Sequence, residues 1–153
     1  MTIKIGKKNI FKAGDPFIIA EAGINHNGDI NIAKKMILAA KGAGCDAVKF
    51  QTFKASEFCG DPQQMFTYTS QGREVTESML SMFSRYEFTK EQWQELKKYC
   101  DENSICFLST PQNVSDLDLL LSIGIDAIKV GSDDFTNIPL LKEYKKANLP
   151  MIL

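Results

Sequence analysis

The chain has 153 residues, 44% of them hydrophobic and 24% charged, with a formal net charge of −1. That size and balance suit one folded domain with a real core, and the near-zero charge excludes recognition of nucleic acid or an anionic membrane surface by bulk attraction. No run approaches the ~20 apolar residues of a membrane span, and residues 1–11 lack the apolar stretch and small-residue cleavage site of a secretory signal.

In chain order, Ile3 to Ile10 alternate around Gly6-Lys7 and predict a small hairpin, so that residues 1–12 read as a leading unit. Phe17 to Glu21 is a short apolar run, hence a buried strand. Asn27-Gly28 turns the chain, Asp29 can cap a helix, and Ala33, Met36, Ile37 and Ala40 recur at helical spacing until Gly42 and Gly44 end it. Ala47 to Gln51 predicts a second strand. Phe53 to Val75 reads as a long polar segment, followed by a short helix over Thr76 to Tyr86. Thr89-x-x-Gln92 has the form of a capping box and opens a helix with Trp93, Leu96 and Cys100 on one face. Ile105 to Ser109 predicts a third strand. Ser115 is the expected cap of the next helix, with Leu117, Leu120 and Leu121 inward and Gly124 as its stop. Ala127 to Val130 predicts a fourth strand, Pro139 suits a first helical turn, and Met151-Ile152-Leu153 looks like the start of a fifth strand. Cys45, Cys59, Cys100 and Cys106 form no C-x-x-C pair, and a chain of this size does not depend on a disulfide framework. The expectation is reduced thiols in a cytoplasm, with Cys45, Cys100 and Cys106 as small core residues.

Strands alternating with helices imply a parallel sheet. A closed eight-stranded barrel needs ~250 residues, so the chain reads as a fragment: about four βα units over 13–153 plus the start of strand five. The competing architecture is an open doubly wound sheet, but its G-x-G-x-x-G fingerprint after the first strand is absent.

Gly44-Cys45-Asp46-Ala47-Val48-Lys49-Phe50-Gln51 matches Gly124-Ile125-Asp126-Ala127-Ile128-Lys129-Val130-Gly131. Side chains alternate across a strand. Val48, Phe50, Ile128 and Val130 therefore suit covering helices, while Lys49, Gln51 and Lys129 point the other way near the carboxyl ends of their strands. Burying an unpartnered ammonium is costly, and two that converge repel each other. An anion carrying phosphate and carboxylate would relieve both costs. The alternative is that each lysine pairs with a nearby acid such as Glu21 or Asp134. Glu21 ends the first strand, where a carboxylate can order a lysine, orient water or move a proton. Thr110 and Ser132 follow the third and fourth strands, and their hydroxyls can hold phosphate oxygens. His26 is the only histidine, so no multi-histidine metal site can form within the chain. Its loop position fits either packing or ligand contact.

Phe17-Ile18-Ile19-Ala20-Glu21-Ala22-Gly23-Ile24-Asn25-His26-Asn27-Gly28 resembles the opening strand and loop of the sialic acid synthase family. Val48-Lys49-Phe50-Gln51-Thr52, Ser109-Thr110-Pro111 and Lys129-Val130-Gly131-Ser132 resemble later motifs of that family, in the same order. The resemblance implies a (β/α)₈ TIM barrel followed by an antifreeze-like domain, the latter and the remaining strands lying outside this chain. It implies condensation of phosphoenolpyruvate with N-acetylmannosamine or a related N-acetylated amino sugar, yielding a nonulosonic acid and phosphate for cell-surface polysaccharide. It further implies a homodimer, and a divalent metal (Mn or Mg) acting as Lewis acid through ligands beyond this chain. On the matching positions, Lys49, Gln51, Thr110, Lys129 and Ser132 hold phosphoenolpyruvate, Glu21 is the catalytic carboxylate and Asp134 lies near the sugar, where relatives that bind N-acetylmannosamine carry glutamate. The segment Phe53 to Val75 departs from N-acetylmannosamine-specific members, which leaves precursors of legionaminic or pseudaminic acid open. Two other readings are a different phosphate-binding barrel, such as a Schiff-base aldolase or isomerase, and a barrel domain without catalysis.

Overall fold

The computed structural model describes residues 3–10, 14–70 and 72–153. Strands β1 (Ile3–Ile5) and β2 (Lys8–Ile10) pair antiparallel, Ile3 opposite Ile10, about a turn in which Gly6 takes φ 56°. The expected hairpin is therefore present; the boundary expected between residues 12 and 13 lies outside the described residues. There follow β3 (Ile19–Gly23), α1 (Ile30–Gly42), β4 (Ala47–Thr52), α2 (Ala55–Phe58), β5 (Met65–Ser70), β6 (Arg73–Ser78), α3 (Met79–Ser84), α4 (Lys90–Glu102), β7 (Cys106–Pro111), α5 (Val114–Ser122), β8 (Ile128–Lys129), α6 (Ile138–Lys145) and β9 (Met151–Ile152).

Strands β3, β4 and β7 form one parallel sheet in that order, and β8 pairs parallel with β9 while lying beside β7. This is a mixed α/β fold in which successive parallel strands are neighbours. The helix starts follow the sequence: Asp29 accepts from the Asn31 and Ile32 amides, and Thr89 and Gln92 form both halves of the capping box. None of the described helices is long and apolar enough to cross a membrane.

Four local expectations are corrected. The polar segment carries α2, β5 and β6, a hairpin with Thr67 opposite Thr76. The helix expected from Thr76 therefore begins only at Met79, because Thr76–Ser78 is consumed by strand pairing. Helix α5 is capped by Asn113, whose Oδ1 accepts from the Asp116 amide at 3.0 Å, while the Ser115 hydroxyl donates to Glu57 and Asn113. Leu121 is exposed, since it falls off the face that buries Leu117 and Leu120. Of the three cysteines expected in the core, Cys100 is buried and Cys45 and Cys106 are half-buried.

The strands have two unlike faces. Val48, Phe50, Phe107, Ile128 and Val130 meet Ile37, Trp93, Leu96, Leu120 and Tyr144 in the main core. Burying each large apolar side chain there contributes about 1.5–3 kcal/mol. Turned the other way, Ala47, Leu108 and Ala127 pack with Ile5 of the hairpin, and Phe17, Ile19 and Cys106 border them. The hairpin thus closes the amino-terminal end of the helix-free face. Lys8 fixes it there by donating to the Asp46 carboxylate at 2.9 Å and to the Pro16 carbonyl at 3.0 Å.

Candidate functional site

Register stacks the helix-free face in layers. The lowest contains Ile19, Ala47 and Cys106; the next pairs Glu21 with Lys49 and Lys49 with Leu108; above it Gln51 stands opposite Thr110. A register irregularity between Glu21 and Gly23 shifts the β3 ladder just above that height, where Gly23 pairs with Phe50. Polar side chains therefore begin one layer above the apolar plug, toward the carboxyl ends of the strands.

Lys49 is buried, with its Nζ 2.5 Å from Glu21 Oε2, while Glu21 itself is 58% exposed at its side chain. Glu21 is thus the nearby acid that compensates this lysine, and the repulsion between two bare ammonium groups does not arise. Lys129 donates to the Val130 carbonyl at 2.5 Å and is in no ion pair among the described residues. Strand β7 lies between the two lysine-bearing strands, paired with β4 and in contact with β8. Thr110 is buried on the same face, and the Gln51 side-chain Oε1 lies 3.2 Å from where a Gly23 Cβ would stand. Ser132 is exposed, and half-buried Asp134 accepts from the Asn137 side-chain amide at 3.2 Å. Glu21, Lys49, Gln51, Thr110 and Lys129 thus share one face and one end. Ser132 and Asp134 sit in the loop just beyond β8.

Support for this rim comes from behind the sheet. The Thr52 and Ser109 hydroxyls meet at 2.7 Å in a buried bond between β4 and β7. Tyr144 reaches from α6 to donate to the Pro111 carbonyl at 2.9 Å. Asp116, buried near Glu57 and Glu87, has its carboxyl pushed up to about 6 by burial first, against the Gln112 amide that it accepts. His26 faces the packing side, not the mouth. It is fully buried, its ring stacks on Phe88 with centroids 4.2 Å apart, and Nδ1 accepts the Gly28 amide at 3.1 Å. That bond leaves the proton on Nε2, which has no partner among the described residues. Burial holds the imidazole down at about 4, so it is neutral at pH 7.

Sequence reasoning passed over Asp133. Its Oδ1 lies 2.3 Å from where a Gly131 Cβ would stand, beside Thr110 Cγ2 at 3.5 Å. The signal available in the sequence was a glycine two residues past the end of β8, followed two residues later by a carboxylate. Among the described residues no group of three or more His, Cys, Asp and Glu side chains is placed to hold a metal ion. With Glu21 engaged by Lys49 and His26 sealed among aromatics, these residues do not fit a resident metal by themselves. A cleft of about 560 Å³ lies at the opposite end of the strands, lined by Lys7, Lys8, Asp46, Cys106 and Asp126 among others. Lys8 and Asp46 are paired to each other there, and the cleft is the seam of the hairpin plug.

Residues 36–153 match the model of the NeuB family. The chain is 40% identical over 136 residues to N,N'-diacetyllegionaminic acid synthase of Campylobacter jejuni, covering 89% of this chain and 41% of that protein. It is 34% identical over 140 residues to human N-acetylneuraminate-9-phosphate synthase, covering 90% of this chain and 38% of that one. Among solved structures, the N-acetylneuraminic acid synthetase of Leptospira borgpetersenii, in complex with citrate, superposes with a TM-score of 0.85 at 33% identity, over 100% of this chain and 49% of that chain. The chain spans about two fifths of the length of these curated relatives.

Proposed function

Since this chain belongs to the NeuB family, we propose that it supplies the first half of a (β/α)₈ barrel whose full-length protein condenses phosphoenolpyruvate with an N-acetylated amino sugar to give a nonulosonic acid and phosphate. The observation that carries this reading is the polar group of Glu21, Lys49, Gln51, Thr110 and Lys129, all on the helix-free face toward the carboxyl ends of parallel strands, where barrel enzymes hold their substrates.

Phosphoenolpyruvate carries a phosphate and a carboxylate. Lys129, with only a backbone carbonyl as acceptor, and Lys49, loosened from the exposed Glu21, supply the two cations. Thr110 and Gln51 add a hydroxyl and an amide to orient it, and Ser132 a second hydroxyl. The C3 carbon of phosphoenolpyruvate forms a bond to the aldehyde carbon of the open-chain sugar, whose oxygen takes up a proton. Water adds at C2, and phosphate leaves as the C–O bond breaks. Glu21, freed when the anion takes over Lys49, can accept a proton from that water. Asp134 contacts the sugar. The divalent metal belongs, on this reading, to segments beyond the chain, as does the antifreeze-like domain, and the assembly is a homodimer.

The test offers the full-length protein phosphoenolpyruvate together with several N-acetylated hexoses and follows phosphate. Release that requires both substrates is expected; none with any hexose would end the proposal. A Schiff-base aldolase needs a free amine as nucleophile, whereas Lys49 is ion-paired. Borohydride treatment during turnover should therefore trap no covalent adduct, and trapping at Lys49 or Lys129 would replace this reading with that one.

A further inference from the structure

We infer that Asp133, although outside the strands, places a carboxylate in the substrate layer and selects against a phosphorylated amino sugar; the inference rests on the function proposed above.

Alternation along β8 turns Ala127 and Lys129 to the helix-free face and Ile128 and Val130 to the helices. Residue 131, two positions beyond the end of β8, is a glycine and offers no side chain there. The space that side chain would take is filled by Asp133, whose Oδ1 would stand 2.3 Å from a Gly131 Cβ. Thr110 Cγ2 lies 3.5 Å from the same point. Thr110 shares its face with Gln51, its partner in register. The top layer thus runs Gln51, Thr110, Asp133, with the acid delivered from the loop. Among the described residues Asp133 is in no ion pair and makes no side-chain hydrogen bond, so its oxygens are available to a ligand.

A carboxylate only accepts hydrogen bonds. Facing a sugar, it suits hydroxyl and acetamido N–H donors. It repels an added phosphate dianion, and Asp134 next to it adds to the repulsion. On the proposed function, Lys49 and Lys129 neutralise the charge of phosphoenolpyruvate and so offset its repulsion by this carboxylate. The carboxylate therefore weighs most against a second substrate that brings a further phosphate.

The experiment compares the full-length protein with Asp133→Asn and Asp133→Gly. For each, it measures equilibrium binding and kcat/KM for a neutral N-acetylated hexosamine and for its 6-phosphate, at saturating phosphoenolpyruvate. The ratio of phosphorylated to neutral kcat/KM should rise about tenfold in Asp133→Asn, more than KM for phosphoenolpyruvate changes, and at least as far in Asp133→Gly. High salt should narrow the gap between wild type and Asp133→Asn. If both sugars turn over and the ratio stays put, or both kcat/KM values fall in proportion, Asp133 is a loop residue only and the inference is overturned while the function stands. If the wild type neither binds nor turns over either sugar, both fall together.

Discussion

Two buried ionisable side chains put opposite pH dependences into the fold. His26 titrates at about 4 in the folded chain against 6.5 as a free group. Its proton is bound more readily by the unfolded chain, so its contribution is complete above pH 6.5 and is lost as pH falls toward 4, by about 3 kcal/mol in all. Asp116 runs the other way. Its folded value of about 6 lies above 3.8, so the folded chain holds the proton longer, and stability declines as pH rises from about 4 to 6, again by about 3 kcal/mol. The two slopes nearly cancel between pH 4 and 6. Asp116→Asn should therefore raise stability at pH 7 by about 2–3 kcal/mol and leave it unchanged below pH 4, as read by denaturant titration; equal gains at both pH values would show that burial of the charge is not the cause. At the mouth, Lys49→Met and Lys129→Met should each lower kcat/KM for phosphoenolpyruvate by about one to two orders of magnitude. Lys129→Met has the cleaner reading, because Lys49→Met also strips Glu21 of its partner. Unchanged kinetics in both would remove the lysines from the site.

At the scale of elements, the β3–α1 loop and the α3–α4 connection interlock. Gly28 has φ 74°, and a Cβ there would lie 2.0 Å from the Arg85 carbonyl oxygen. Backbone faces backbone, so no side-chain rotation relieves the contact. Gly28→Ala should cost at least about 2 kcal/mol, from the left-handed conformation plus the clash, and thermal unfolding measures it; a loss under about 0.5 kcal/mol would mean that the loop is free to shift. Because His26 stacks on Phe88 in the same connection, the variant should also disturb Glu21, five residues before His26, and so lower activity more than the loss of stability accounts for. Thr89→Ala removes one half of the α4 capping box and should cost about 1 kcal/mol without touching kcat.

For the whole molecule, the helix-covered face is complete and the opposite face is not. Strands β3 and β9 each have one edge without a partner among the described residues, and unpaired edges invite pairing with another chain. The isolated 153-residue chain should therefore self-associate in sedimentation, and it should fail to release phosphate from phosphoenolpyruvate with any sugar that the full-length protein accepts. A stable monomer would count against the first expectation, and turnover by the isolated chain against the second.

Much of this was legible in the residues because it depends on neighbours a few positions away. Alternation assigned Val48 and Phe50 to the helices and Lys49 and Gln51 to the other face; the caps at Asp29 and Thr89 and the turn at Gly6 follow from local backbone chemistry. What only the tertiary structure decided depends on approach between distant segments. The strand pattern left open whether Lys49 pairs with Glu21 or waits for an anion, and packing set the pair at 2.5 Å; nothing near His26 says that Phe88 covers it. The hairpin of β5 and β6 went unseen although Phe66 and Tyr68 alternate with Thr67 and Thr69, because that face is only half-buried and the surrounding residues are polar. Asp133 went unseen because a loop side chain fills a place that the strand pattern assigns to a glycine. Periodicity states which way a side chain points, but only the packed chain determines what it meets.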